Sequence, residues 1–134
     1  MAESVPTAMP AEWELHERTV MGWPTRTRVS QLWHEQLDAA RAVHATVATA
    51  IARREAVLVF ANAEDLDDAR HRCGSGVEVV EARLDDSWLR DIGPIVVRDG
   101  DGNRLGLHFG FNAWGGKFSP HDADQQVART VLGH

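Results

Sequence analysis

Apolar residues recur at intervals of three and four along one stretch of the chain, at Leu37, Ala40, Val43, Val47 and Ile51. Such spacing puts them on one stripe of a helix. With Ser30 as N-cap and Arg53 and Arg54 near the C-terminal carbonyls, it predicts a helix over 31–54. The next run, "AVLVFA" at 56–61, is apolar throughout, the pattern of a strand covered on both faces. "NAEDLDDARHRC" reads as a second helix, capped by Asn62, acidic at its start, basic at its end and stopped by Gly74. "VEVVEA" at 77–82 and "IVVRD" at 95–99 are further strands, as is the short run at 19–24 that Pro24 ends. "DGDGN" joins the strand at 95–99 to "LGLHFGF" at 105–111, an Asp-Gly hairpin signal. A last helix is expected over about 121–132.

The order is β-α-β-α-β followed by β-β-α, an α/β class in which the hairpin makes the sheet mixed. Residues 1–8, rich in proline and small side chains, predict a flexible lead-in to a domain over 9–134. In "LGLHFGF", Gly106, His108 and Gly110 share one face, so something is expected to approach that face closely.

Composition narrows the partners. The 134 residues suit one domain, and 43% hydrophobic with 25% charged residues is ordinary for a globular protein. A formal net charge of −6 argues against a nucleic-acid partner and favours a small cationic ligand. Without an apolar targeting segment or spanning run, no membrane association is expected. The single cysteine, Cys73, excludes an internal disulfide and suits a reducing compartment, so the expected location is cytoplasmic.

Two runs carry unusual chemistry. "DDSWLRDIGP" at 85–94 sets Asp91 three residues after Trp88 and closes with Gly-Pro. A guanidinium is a planar cation that takes a carboxylate on its edge and an aromatic ring on its face. Asp91 and Trp88 supply both, although a loop with an Asp cap and a core-packed Trp uses the same letters. Asp85 or Asp86 with Asp91 also offers a carboxylate pair of the kind used in glycoside hydrolysis. In "GFNAWGGKF" at 110–118 the paired glycines predict positive φ or a close contact. Neither H-E-x-x-H nor C-x-x-C occurs, so zinc has no support; His121, Asp122 and Asp124 could hold a metal or simply begin a helix. Cys73 lies beside Arg72, which would lower a thiol pKa, but no base is in evident partnership with it. No phosphate-cradling glycine loop is found.

Three blocks, "MPAEWELH" with "GWP", "DDSWLRDIGP" and "GFNAWGGK", together resemble the agmatine deiminases of the guanidino-group-modifying superfamily, which includes the peptidyl-arginine deiminases. The resemblance runs from Met9 to about Lys117. It implies the pentein fold, an α/β propeller of five ββαβ-type units, with this chain expected to be the N-terminal portion, about two units, truncated at the C-terminus. It further implies hydrolysis of agmatine to N-carbamoylputrescine and ammonia, a step toward putrescine, without metal or organic cofactor. In that chemistry a cysteine thiolate attacks the guanidinium carbon, a histidine shuttles protons and two aspartates clamp the nitrogens. The W-x-x-D element implies Asp91 as the first clamp and catalytic residue, with Trp88 lining the pocket; Trp114, Asn112 and Lys117 are further substrate-binding candidates. The family's cysteine, histidine and second aspartate belong to later blocks, and Cys73 falls in a different motif. The isolated chain is therefore expected to be inactive, with a complementing C-terminal chain or a homo-oligomer as its partner. The alternatives are a peptidyl-arginine deiminase activity and a non-catalytic guanidine-binding or oligomerising remnant.

Overall fold

The computed structural model describes residues 5–134. The apolar run at 56–61 becomes β3 (Ala56–Ala61), buried from its second residue to its last. It is the centre of a parallel sheet in the order β2-β3-β4, flanked by β2 (Arg18–Gly22) and β4 (Glu78–Glu81). Register runs Arg18 to Ala56 through Gly22 to Phe60 on one side, and Leu58 to Glu78 through Ala61 to Glu81 on the other. Parallel strands need crossovers, and α1 (Leu37–Ile51) and α2 (Leu66–Cys73) provide them. Both helices cover one face, where Val57, Val59, Ala45, Ala48, Ala69, Cys73 and Trp23 form one core. On the other face Leu58, Phe60, Leu84, Ile92 and Val127 form a second core, closed by α5 (Asp124–Gly133).

The antiparallel hairpin forms, β5 (Ile95–Asp99) with β6 (Arg104–Leu107), although the second strand ends at Leu107 rather than reaching 111; Asp99 closes the turn by accepting the Asp101 and Asn103 amides. Parallel and antiparallel pairings occupy two separate sheets rather than one, because the segment 82–94 leaves β4 and turns before β5 begins. The second sheet has a third strand within the expected lead-in: β1 (Pro6–Ala8) pairs with β5, which places Pro6 opposite Asp99. Residues 1–4 of that lead-in lie outside the described residues.

The helix expected over 31–54 is shorter. It begins at Leu37, after three short turns at Arg26–Arg28, Val29–Trp33 and His34–Gln36, and Ser30 caps nothing. His34 has φ 44°, outside the right-handed helical region, and so separates Ser30 from α1. The stripe is also rotated. The buried face of α1 carries Arg41, Ala45 and Ala48, whereas Val43 and Val47 are exposed. A single cation explains this, because Arg41 reaches across the core to Asp65 at 2.7 Å and Asp68 at 3.0 Å. It also donates from Nε and Nη2 to the Pro24 carbonyl at 3.1 and 3.0 Å. Asn62 does not cap α2 through its side chain. Instead it holds Leu84, donating to its carbonyl and accepting its amide.

Candidate functional site

The "GWP" run ends β2 and fixes the loop that follows β4. Trp23 is buried in the first core, Thr25 donates to the Asp85 carbonyl at 2.5 Å, and Gly22 lies against the 87–89 backbone. A Cβ at Gly22 would meet the Leu89 side chain at 2.4 Å and the Ser87 carbonyl oxygen at 3.0 Å, so a larger residue would force Leu89 and the loop to shift. From that support the chain enters α3 (Leu89–Ile92), a single turn with Trp88 at its N-cap. Gly93 ends it, its amide donating to Leu89 O at 2.8 Å where a Cβ would lie 2.5 Å from the same oxygen. The result is that Trp88 and Asp91 project on the same side.

The facing wall comes from the glycine pair. Ala113, Trp114, Gly115 and Gly116 all have positive φ (53°, 54°, 81° and 79°), forming a left-handed turn, α4 (Ala113–Gly116). A left-handed residue with a Cβ costs about 1–2 kcal/mol, so two of them need external support. Asn112 supplies part of it by accepting the Gly115 amide at 3.0 Å, and Phe111 packs edge-on against Trp114 with centroids 5.0 Å apart. Trp114 in turn meets Phe118 edge-on at 5.8 Å and donates from its indole N–H to Asp91 Oδ1 at 3.3 Å.

These elements enclose an open pocket of about 500 Å³ lined by Leu32, Trp88, Asp91, Trp114, Lys117 and Phe118. Trp88 and Trp114 are 46% and 42% exposed, which leaves part of each ring accessible from the pocket. Four of the five sequence candidates therefore meet. Asn112 is the exception, because its side chain caps the left-handed turn and does not line the pocket. Sequence reading missed Leu32 and Phe118. Phe118 at least closes the "GFNAWGGKF" run, but nothing local marks Leu32.

The remaining candidates have other roles. Asp85 and Asp86 are buried and cannot face a sugar opposite Asp91. Asp86 accepts from Arg28 and from the Ser87 amide, and Asp85 accepts the Ala123 amide. Asp124 is turned inward to the amides of Asp85 and Asp86, away from any site with His121 and Asp122. Among the described residues, no group of three or more His, Cys, Asp or Glu is placed to hold a metal ion. His108 is bound to the Gln125 carbonyl at 2.9 Å and receives Arg129 Nε at 3.3 Å. His108 lies beyond the end of β6, and of the expected face only Gly106 is in the strand, where Leu132 approaches it. Cys73 is buried, and its thiol is pushed up by burial and by Asp68, the opposite of activation by Arg72. "MPAEWELH" contributes no pocket residue: Glu12 pairs with Arg90 at 2.8 Å and Glu14 with Arg98 at 2.9 Å, clipping the segment to α3 and the hairpin.

The model of the Porphyromonas-type peptidyl-arginine deiminase family matches residues 8–134. The chain belongs to this family. Among relatives of this deiminase-family chain, the agmatine deiminase of Pseudomonas aeruginosa is 46% identical over 129 residues, covering 92% of this chain and 34% of the relative. A putative agmatine deiminase of Mycoplasma capricolum is 40% identical over 127 residues, with the same coverage. The solved agmatine deiminase of Enterococcus faecalis superposes with a TM-score of 0.85 at 29% identity, covering 94% of this chain and 35% of that one. The two sheets and their helices are thus part of the pentein fold, and the chain spans about a third of the length of the relatives it matches. Among the described residues no helix is long and apolar enough to cross a membrane.

Proposed function

We propose that this chain forms one wall of the substrate cleft of an agmatine deiminase-type hydrolase, with Asp91 gripping the guanidinium edge and Trp88 and Trp114 enclosing its faces. One observation carries the reading: two half-exposed indoles and one carboxylate, drawn from separate parts of the chain, converge on a single pocket. The Trp114 indole N–H donates to Oδ1 and so helps to orient the Asp91 carboxylate. A fixed carboxylate opposite a guanidinium immobilises the planar cation and balances its charge, which is what attack at its carbon requires. The reaction replaces one C–N bond of agmatine with a bond to water's oxygen, giving N-carbamoylputrescine and releasing ammonia, in a soluble cytoplasmic step toward putrescine.

Attack itself calls for a thiolate, and the one cysteine of this chain is buried at the end of α2 with a raised pKa. Hydrolysis is accordingly proposed for the assembly that supplies the remaining two thirds of the relatives' length, whereas the 134-residue chain binds without turnover. The family's name favours a second reading, in which the guanidinium is that of a peptidyl arginine. Calorimetric titration of the chain with agmatine, putrescine and an arginine-containing peptide separates these. Saturable binding of agmatine with none of putrescine is expected. Equal binding of putrescine would remove the guanidine reading, and binding of the peptide alone would move the substrate to protein arginine.

A further inference from the structure

Behind the pocket lies an ionic cluster for which the proposed chemistry has no role. Arg28, Asp86 and Asp124 come from three separate stretches of chain and are all buried. Arg28 donates from Nε to Asp86 Oδ2 at 3.1 Å and from Nη2 to the Pro120 carbonyl at 2.8 Å. The same Nη2 lies 3.6 Å from Asp124 Oδ2, and the guanidinium carbon sits 5.5 Å from the centroid of the Phe118 ring. Phe118 is part of one pocket wall, and Asp86 precedes Trp88 of the other by two residues. A single guanidinium therefore touches the supports of both walls. Asp124 acts on the backbone, its Oδ1 accepting the amides of Asp85 at 2.8 Å and Asp86 at 3.0 Å. Asp85 returns the contact by accepting the Ala123 amide at 2.8 Å, which locks the loop to the start of α5 from both sides.

We infer that Arg28 and Asp124 are positioning residues for the pocket, holding the Trp88–Asp91 wall in register with the Trp114–Phe118 wall while Asp124 is ionised. The inference rests on reading the pocket as a guanidine site. Stability alone is a poor reason for such a cluster, because desolvating buried ions offsets their attraction. Burial pushes the Asp124 carboxyl up to about 6 and raises Asp86 as well, so the ionised cluster is held against its own desolvation at neutral pH. What it supplies is geometry. The charged groups facing Asp124 are Arg28 from the turn at 26–28 and Asp85 and Asp86 from the loop before α3. His121 and Asp122 belong to the turn leading into α5, while on α3 Arg90 is engaged by Glu12 and Asp91 by Trp114. Protonating Asp124 takes one of the two carboxylates away from Arg28 and loosens the link between walls.

The test follows the indole N–H signals of Trp88 and Trp114 by nuclear magnetic resonance in the ligand-free chain from pH 5 to 8. Wild type, Asp124→Asn and His121→Gln are compared, and agmatine is then titrated into each at pH 7.5. In wild type both signals should move with a midpoint near the value of about 6 for Asp124. The midpoint should persist in His121→Gln and vanish in Asp124→Asn. The agmatine Kd of Asp124→Asn should rise by about tenfold or more, since small misplacement of a wall is felt strongly at the ligand. Arg28→Lys, which keeps the charge and loses the two-sided reach, should show the same loss with a smaller fall in melting temperature than Arg28→Met. Two results overturn the inference: a wild-type chain with no inflection between pH 5 and 7, or an Asp124→Asn chain that melts lower while its indole signals and agmatine affinity stay unchanged. A wild-type chain that fails to bind agmatine removes the guanidine reading, while the indole titration still decides the positioning role.

Discussion

Replacing Asp91 with Asn is the most direct probe of the pocket, because it removes charge and keeps shape. The amide oxygen can still accept the Trp114 indole N–H, which lies at 3.3 Å, so the wall should stay in place. What is lost is the attraction between the carboxylate and a guanidinium. The pocket is open and Asp91 is exposed, so the effective dielectric lies between bulk water and a protein surface. At a separation of about 4 Å that gives about 1 to 4 kcal/mol. Agmatine affinity should therefore fall by about 5-fold to 1000-fold. Titration calorimetry at two salt concentrations measures it. Salt screens an open site, so wild-type affinity should weaken between low and high ionic strength, and the variant should be much less sensitive. An Asp91→Asn chain that binds agmatine within twofold of wild type, with the same salt dependence, would refute the role of this carboxylate.

Gly22→Ala forces a methyl against Leu89 and the Ser87 carbonyl; it should cost about 1–3 kcal/mol in urea unfolding and weaken agmatine binding by displacing the Trp88 loop. Arg41→Met leaves Asp65 buried with only the exposed Arg26 beside it. A loss of about 3–5 kcal/mol is expected, seen as a melting temperature lower by on the order of 10 °C or more, and a change within 2 or 3 °C would refute the buried-charge account. Asp124 has a folded value of about 6 against an ordinary 3.8, so its contribution is fully present below 3.8 and is lost as pH rises through about 6, a difference of roughly 3 kcal/mol. Urea midpoints should thus fall from pH 5 to 6.5 in wild type and be flatter in Asp124→Asn; identical slopes would count against it. Cys73→Ala should leave agmatine binding unchanged and wild type should release no ammonia, whereas turnover that disappears in this variant would make Cys73 a nucleophile.

Much of the fold is visible in apolar patterning, because β3 is a continuous apolar run and the hairpin depends on local turn chemistry. The start of α1 is not visible, since a cap residue such as Ser30 needs a continuous helix behind it and His34 interrupts that one. Nor is the buried face of α1: Arg41 reads as a solvated charge until Asp65 and Asp68 are brought beside it by α2. The same limit hid Arg28, Asp86 and Asp124, whose pairing spans 58 and 96 residues of sequence. In the pocket, the indoles and Asp91 announce themselves by residue type, and the glycine pair announces the positive φ. Asn112 misled because an amide beside a ligand motif and an amide capping a turn look alike in sequence. The asparagine followed three residues later by a glycine was the available signal for the cap.

The pocket's lining and its frame are made of different residues. Trp88, Trp114 and Lys117 stand half in water, while the loops that carry them are anchored from behind by Arg28, Asp124 and Thr25. Altering the lining should therefore retune ligand choice without melting the scaffold. In a mutational library, variants with changed selectivity should cluster on the front layer, and those that fail to express should cluster on the layer behind it.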